Sequence, residues 1–363
     1  MNRLPILFLT AMIFFFSCEK VEKTIPVLNL RDAFSSEKKV RLDEVATNVR
    51  FVQLETTDDV LINNINKVFM YADFFVVIYD IYYCSLFDLD GKHIRKIGQR
   101  GDGPEEYMYV SNIFVEGDNI ILYDGGKGRF LKYKLTGEFV DSEALPARFS
   151  QVNLFSPDIY AGFIGNASGK EPTCMKFFDS KMTVIDSIPY HFTYEKPDPN
   201  ILMGFGMEGV IYSQDKTVRF KNAYNDTLFT ITKDFQLLPT YIFDLGSSKF
   251  TAELRYQTTS GPRDPNLQGK KTLYPVFESK RYLLLSGWGF ELGKYVFWDK
   301  ELDALNYVSF HYTEEQLSKL DKEDSVCRPS FISMDNKTMI AFERSESIEN
   351  DNNPVLVLAT LKD

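Results

Sequence analysis

The feature that most constrains what this chain can fold into is repetition. Six times along 363 residues, an apolar strand-like run is followed by a second run, a polar turn and a third run. The first copy pairs Phe74–Tyr79 with 85–94, and the second pairs 120–124 with 130–140. The third occupies 175–185, and looser copies follow at 227–237, 282–302 and 339–358. Gly91, Gly137, Lys181, Phe235, Glu301 and Asp351 mark the polar turns, which recur every 44 to 66 residues. Blades of a β-propeller repeat at roughly 40–50 residues. The longest interval holds 257–271, a polar stretch containing Gly and Pro that reads as a loop. Asp90-Gly91 and Thr136-Gly137 supply the positive φ of tight hairpins, and the flanking residues alternate as half-buried strands do.

The expected fold is therefore all-β, a six-bladed β-propeller of four-stranded antiparallel blades. The strand-like run 49–54 near the start of the mature chain is placed to complete the last blade and close the ring. A two-sheet sandwich is the rival, but its strands need not recur as whole units, whereas radial repetition leaves only short, protected edges. Composition agrees, because 31 Phe and 20 Tyr suit pleated, half-buried surfaces. Helix is scarce. Thr313-Glu314-Glu315-Gln316 is a capping-box pattern leading into Leu317 and Leu320, between the fifth and sixth blades.

The first segment reads as an address. Met1-Asn2-Arg3 opens with positive charge, a 13-residue, mostly apolar run follows from Leu4 to Phe16, and Ser17-Cys18 comes next. The run is shorter than the ~18 apolar residues a spanning helix requires. Phe15-Phe16-Ser17-Cys18 resembles a bacterial lipobox, in which a small residue precedes the cysteine that receives the lipid. The expected organisation is a lipoprotein signal peptide at 1–17, a lipidated Cys18 and polar tether at 18–27, and the propeller at 28–363. Acyl chains on Cys18 make the membrane a partner, since each buried CH₂ contributes ~0.8 kcal/mol.

Chemistry-bearing patterns are few. The formal charge of −10 and the lack of a basic stripe exclude nucleic acid as a partner. Cys84, Cys174 and Cys327 form no CxxC and read as small buried apolar residues, although one pair has the option of bridging in an oxidising compartment. His93, His191 and His311 fall in different blades without ligand spacing, so neither metal nor cofactor is expected. Asp88-Leu89-Asp90-Gly91 lacks the later ligands of a calcium loop and reads as a hairpin turn. No nucleophile elbow, P-loop or dinucleotide fingerprint is present, and no catalytic residue is singled out. The most distinctive local chemistry is the stretch 100–107. Gly101 and Gly103 permit unusual φ and Pro104 stiffens the chain, so Arg100, Asp102, Glu105, Glu106 and Tyr107 form a candidate binding loop. The alternative reading of the same residues is a rigid connection between blades with solvated charges.

Phe87-Asp88-Leu89-Asp90-Gly91-Lys92, Lys96-Ile97-Gly98 and Gly101-Asp102-Gly103-Pro104-Glu105-Glu106-Tyr107 together resemble the six-bladed β-propeller lipoproteins of Bacteroidetes, a group mostly without assigned function. Members carry a Gly-x-Gly-Pro-Gly-Glu-Tyr loop after the first hairpin, and Glu105 here replaces the last Gly of that pattern. Val52-Gln53-Leu54-Glu55-Thr56-Thr57 and Tyr224-Asn225-Asp226-Thr227-Leu228-Phe229 are similar to two further segments of that group. The resemblance implies an outer-membrane lipoprotein facing the periplasm or the cell surface, and implies no activity. It also implies Asp-Ser/Thr-apolar O-glycosylation sites at Ser187, Thr227 and Ser325. The functional expectation is a binding or scaffold protein holding a protein, peptide or glycan on one propeller face. The alternatives are a hydrolase or lyase with its residues in the central channel, or a subunit of an envelope complex.

Overall fold

The computed structural model describes residues 24–198, 200, 207–258, 263–344 and 352–362. Cys18 and the whole 1–17 segment lie outside them, as does the turn marker Asp351. Six antiparallel sheets follow one another along the chain and form a six-bladed propeller. Blade 1 spans Ile65–Met70, Phe74–Tyr79, Tyr83–Asp88 and His93–Lys96; blade 2 runs from Val110–Glu116 to Phe139–Ala144. Blade 3 runs from Gln151–Ser156 to Val184–Pro189, blade 4 from Gly209–Gln214 to Leu237–Asp244, and blade 5 from Tyr274–Glu278 to Ala304–His311. Blade 6 takes three strands from the C-terminal part, Phe331–Ile332, Thr338–Glu343 and Val355–Leu361. Its fourth is N-terminal.

That N-terminal region does more than close the ring. Strand β1 (Val27–Asn29) lies parallel to the outer strand of blade 4, and β2 (Glu37–Arg41) lies parallel to the outer strand of blade 5. Strand β3 (Ala46–Gln53) then pairs antiparallel with Val355–Leu361 as the outer strand of blade 6. Two four-residue helices, α1 (Leu30–Ala33) and α2 (Leu42–Val45), link the three strands. The strap thus crosses three successive blades, where the sequence had led us to expect one closing strand.

The strap ends against blade 1. The Glu55 N–H donates to Gly91 O at 2.8 Å, and Arg50 donates to Leu89 O at 2.7 Å. Gly91 has φ +86°, and a Cβ there would fall 2.2 Å from Gln53 O, so only glycine allows the last blade to approach the first this closely. Asp88 Oδ1 accepts the N–H groups of Asp90 and Lys92, which makes 88–91 a hairpin turn.

Apolar packing explains why the axis stays open. Each of the six seams between neighbouring blades has its own core among the described residues. Val76, Ile78 and Leu86 of blade 1 meet Ile113, Leu122 and Leu131 of blade 2, for example, and Phe163 and Phe177 of blade 3 meet Phe220 and Ile231 of blade 4. Successive side chains of a strand point to opposite faces, so each blade buries both faces against its neighbours and spends no apolar face on the axis. Cys84, Cys174 and Cys327 are free thiols in three different seams, and burial pushes each up to about 12.

Two details of the sequence reading change. Asp351 lies between the second and third strands of blade 6, whereas Gly91, Gly137, Lys181, Phe235 and Glu301 lie between third and fourth strands. The equivalent connection in blade 6 does not exist, because β3 supplies the fourth strand from the other end of the chain. The described part of the stretch 257–271, residues 257–258 and 263–271, is also less loop-like than expected. It follows a helix, Ala252–Gln257, and Leu267 packs with Phe250 and Tyr224 in a small seventh core. The expected capping box is present, with Thr313 and Gln316 bonding each other's backbone at the start of helix Glu314–Lys319.

Candidate functional site

The six inner strands surround a channel of about 970 Å³. An inner strand has one unpaired edge, and its backbone groups need partners. Side chains of the preceding blade supply some of them. Lys67 Nζ of blade 1 donates to Ser111 O of blade 2 at 2.6 Å, and Asn112 of blade 2 donates to Val152 O of blade 3 at 2.7 Å. Gln151 Oε1 of blade 3 accepts the Ile211 N–H of blade 4 at 2.9 Å. Polar ties also cross the later seams: Tyr212 donates to Glu278 at 2.7 Å, Tyr295 donates to Pro329 O at 3.1 Å, and the Asn353 side chain bonds 55–62 three times.

One end of the channel is crossed by the first hairpin of blade 6. The Met334 N–H donates to Met70 O of blade 1 at 3.4 Å. Asn336, with its amide oriented to suit both partners, donates to Ser213 O and accepts from the Asp215 N–H of blade 4. Blades 4 and 6 are not neighbours, so this turn reaches past blade 5. Among the described residues lining the channel, Asp215 is the one carboxylate, and neither His nor Cys is present. Lys67 and Lys216 are the lining cations. No group of three or more His, Cys, Asp or Glu suited to a metal ion occurs among the described residues.

The candidate loop at 100–107 connects blade 1 to blade 2, on the side of the molecule where the second and third strands of each blade are joined. Arg100, Asp102 and Glu105 are exposed, with the Arg100 guanidinium 3.9 Å above the Tyr82 ring. Glu106 turns into its own loop, accepting from Gly103 N–H at 2.8 Å and Gln99 Nε2 at 2.7 Å, and these bonds hold its carboxyl below the usual range. A Cβ at Gly101 would lie 2.0 Å from that carboxylate. Tyr107 is 1% exposed and packs in the seam between blades 1 and 2. Blade 2 grips the loop through its carbonyls: Lys127 donates to Gly101 O at 2.8 Å, Arg129 to Gly103 O at 3.1 Å, and Tyr133 to Glu105 O. Five residues thus divide into three that face solvent and two that brace the connection.

Sequence reading missed the channel residues. Inner strands such as Ile65–Met70, Ile-Asn-Lys-Val-Phe-Met, mix amides and charge with apolar residues and so show no clean alternation. It also passed over a meeting of Glu37, Ser309 and His311 at the outer edge of blade 5. Ser309 Oγ donates to Glu37 Oε1 at 2.6 Å and stands 2.9 Å from His311 Nε2. The acid and the imidazole both contact the hydroxyl, whereas a hydrolytic triad needs the acid to orient the imidazole. Glu37 instead serves an ion pair with Lys294 at 2.8 Å, joining the strap to blade 5. Of the three Asp-Ser/Thr positions, Ser187 is exposed on the outer strand of blade 3, while Thr227 and Ser325 are half-buried.

The sequence profile of a family described as "Domain of unknown function (DUF4934)" matches residues 25–360. The chain belongs to the DUF4934 family. No curated protein matches it in sequence. A solved structure from Bacteroides fragilis, described as an exported protein, is similar at 17% identity with a TM-score of 0.69, covering 94% of this chain and 100% of that one. A member of the DUF4221 family from Bacteroides vulgatus is similar at 12% identity and a TM-score of 0.52, covering 88% and 97%. Virginiamycin B lyase from Staphylococcus aureus aligns at 12% identity with a TM-score of 0.46, over 87% and 99%. The suspected kinship with Bacteroides propellers of unassigned function is thereby shown, and the DUF4934 chain shares their fold.

Proposed function

We propose that this DUF4934 protein is exported, anchored at the cell envelope through a lipid on Cys18, and binds a ligand in its central channel without transforming it. The observation that carries the reading is the channel's inventory: a large cavity walled by amides, hydroxyls, two lysines and apolar side chains, with Asp215 the single carboxylate among the described lining residues. General acid–base chemistry asks for paired titratable groups whose environments set them apart, and the described lining offers no such pair. Cavities of ~300–1,000 Å³ with a few polar groups on a mostly apolar wall suit small ligands. Export draws support from the signal-like first 17 residues and from the Bacteroides fragilis neighbour described as exported. The exposed Arg100, Asp102 and Glu105 remain candidates for contacts with a protein, peptide or glycan at the rim.

Two measurements test the reading. Ser213 is exposed within the channel lining, so Ser213→Trp is expected to obstruct the channel while keeping the melting temperature near that of the parent. The parent should bind the neutral dye Nile red in a saturable way and the variant should not; undiminished binding by the variant would place the site elsewhere. For the anchor, Cys18→Ser should move the protein from the membrane pellet to the soluble fraction of cells that express it. A variant that still sediments with membranes would refute lipid attachment at Cys18.

A further inference from the structure

Most interior and half-buried lysines of this propeller have an evident counter-charge. Lys300 lies 3.3 Å from Glu278, Lys322 2.7 Å from Glu343, Lys249 2.7 Å from Asp226, and Lys294 2.8 Å from Glu37. Lys221 is sealed in blade 4, 1% exposed, with its ammonium on the carbonyls of Asn222 and Asn225. Lys67 differs from all of these. It lines the channel, its one hydrogen bond is to Ser111 O, and no carboxylate pairs with it among the described residues. An ammonium has three N–H donors, so two are left for whatever occupies the channel.

The wall around Lys67 is graded. On blades 1 to 3 polar side chains precede apolar ones through the middle of each inner strand, although Ile65 and Val110 open two of these strands and Glu116 and Ser156 close two of them. Asn66 and Lys67 precede Val68 and Phe69, Ser111 and Asn112 precede Ile113 to Val115, and Gln151 and Asn153 precede Leu154 and Phe155. These strands run in the same direction along the axis, so on these three blades the amides and Lys67 lie toward one end of the channel and Phe69, Val115 and Phe155 toward the other, where blade 4 adds the polar Ser213, Asp215 and Lys216. The first hairpin of blade 6 crosses the channel at this second end, through its bond to Met70 O. Gln151 commits its carbonyl oxygen to Ile211, which leaves its amide N–H₂ on the polar side.

We propose that the channel takes an anionic amphiphile, a small molecule whose oxyanion head meets Lys67 and whose apolar body lies along Phe69 and Phe155. This rests on the reading of the channel as the ligand site and names the class of ligand. The surrounding charge makes the selectivity local, because the protein as a whole is acidic at −10 and repels free anions. Burial brings the Lys67 ammonium down to about 8, so at neutral pH it is charged and poorly solvated, a condition that an oxyanion relieves.

The test uses three probes built on a ten-carbon chain, below their micelle concentrations: decanoate, decanol and decyltrimethylammonium. Titration calorimetry of the intact mature protein should rank decanoate first, by about tenfold or more over decanol. Lys67→Met should remove that preference while leaving decanol binding in place, and Lys67→Arg should restore it; melting curves confirm that both variants are folded. Equal affinity for decanoate and decanol, or a preference untouched by Lys67→Met, would overturn the anionic head while leaving the channel as a site. Failure of all three probes to bind, together with failure of Nile red, would overturn the channel reading and this proposal with it.

Discussion

A chain beginning at residue 55 is expected to lose its cooperative unfolding transition, although every strand of blades 1 to 5 is still present in it. The truncation removes β1, β2 and β3, and with them the five side chains Leu30, Val40, Leu42, Val52 and Leu54, each at most 4% exposed. Removing the buried atoms of one Leu costs ~2–5 kcal/mol, so the three Leu losses alone rival the ~5–15 kcal/mol of a whole domain. The backbone loss compounds this. Strand β3 pairs with Val355–Leu361 along its length, and without it blade 6 has three strands and an open edge in a ring that is otherwise closed. Blade 1 loses the contact made by Arg50 with Leu89 O.

The strap allows a graded version of the experiment. A chain starting at residue 25 keeps the Pro26 carbonyl that accepts the Ile242 N–H, and should melt like the full mature protein. A chain starting at residue 36 loses β1 and α1 but keeps β2 and β3, and should melt cooperatively several degrees lower. Differential scanning calorimetry on the three chains gives the answer. If the chain from residue 55 melts as one sharp transition near the parent temperature, the ring is closed without its N-terminal strand and the strap is only a cover.

The strap also shows where sequence reading stops. Run 49–54 was legible as a strand because Val49, Phe51, Val52 and Leu54 are apolar at strand spacing, and the structure makes it the closing strand of blade 6. Strand β2, Glu-Lys-Lys-Val-Arg, buries only Val40, and β1 is three residues long. Both are held by parallel pairing to an outer edge, which demands backbone and asks almost nothing of side chains. The hairpins that gave away the propeller are the opposite case. Phe74–Tyr79 is buried at five of six positions because both blade faces are covered, and a continuous apolar run results. The channel was illegible for a third reason. Asn112 and Gln151 sit on inner strands to satisfy the next blade's backbone, and that need leaves no period in the sequence. The 100–107 loop was conspicuous in sequence, and the structure shows that much of its distinctiveness, Gly101 against Glu106 and Tyr107 in the seam, serves the joint between two blades.

Glu278→Leu is expected to cost about 3–5 kcal/mol of stability, the usual toll for stranding buried cations by removing their partner. Glu278 ends the inner strand of blade 5 and is 1% exposed. Its Oε2 accepts from Tyr212 at 2.7 Å and lies 3.4 Å from Arg219 Nε, while Oε1 lies 3.3 Å from Lys300. Tyr212 and Arg219 belong to blade 4, so one carboxylate ties the seam. Arg219 Nε has no hydrogen-bond partner of its own, which makes the Glu278 charge its main compensation. Urea unfolding should show the full loss in Glu278→Leu and a recovery of most of it in the triple change Arg219→Leu, Glu278→Leu, Lys300→Met, because an apolar replacement of the whole set strands nothing. A Glu278→Leu variant within about 0.5 kcal/mol of the parent would show that the cations are solvated through the seam. The same carboxylate reaches function through Tyr212, which lines the channel and whose hydroxyl burial and Glu278 hold in its neutral, donating form. Glu278→Gln keeps an acceptor for that hydroxyl and should preserve Nile red binding even though it gives up the charge. Glu278→Leu releases the ring at the channel wall and should weaken the dye, so the two variants separate the stability of the seam from the shape of the site.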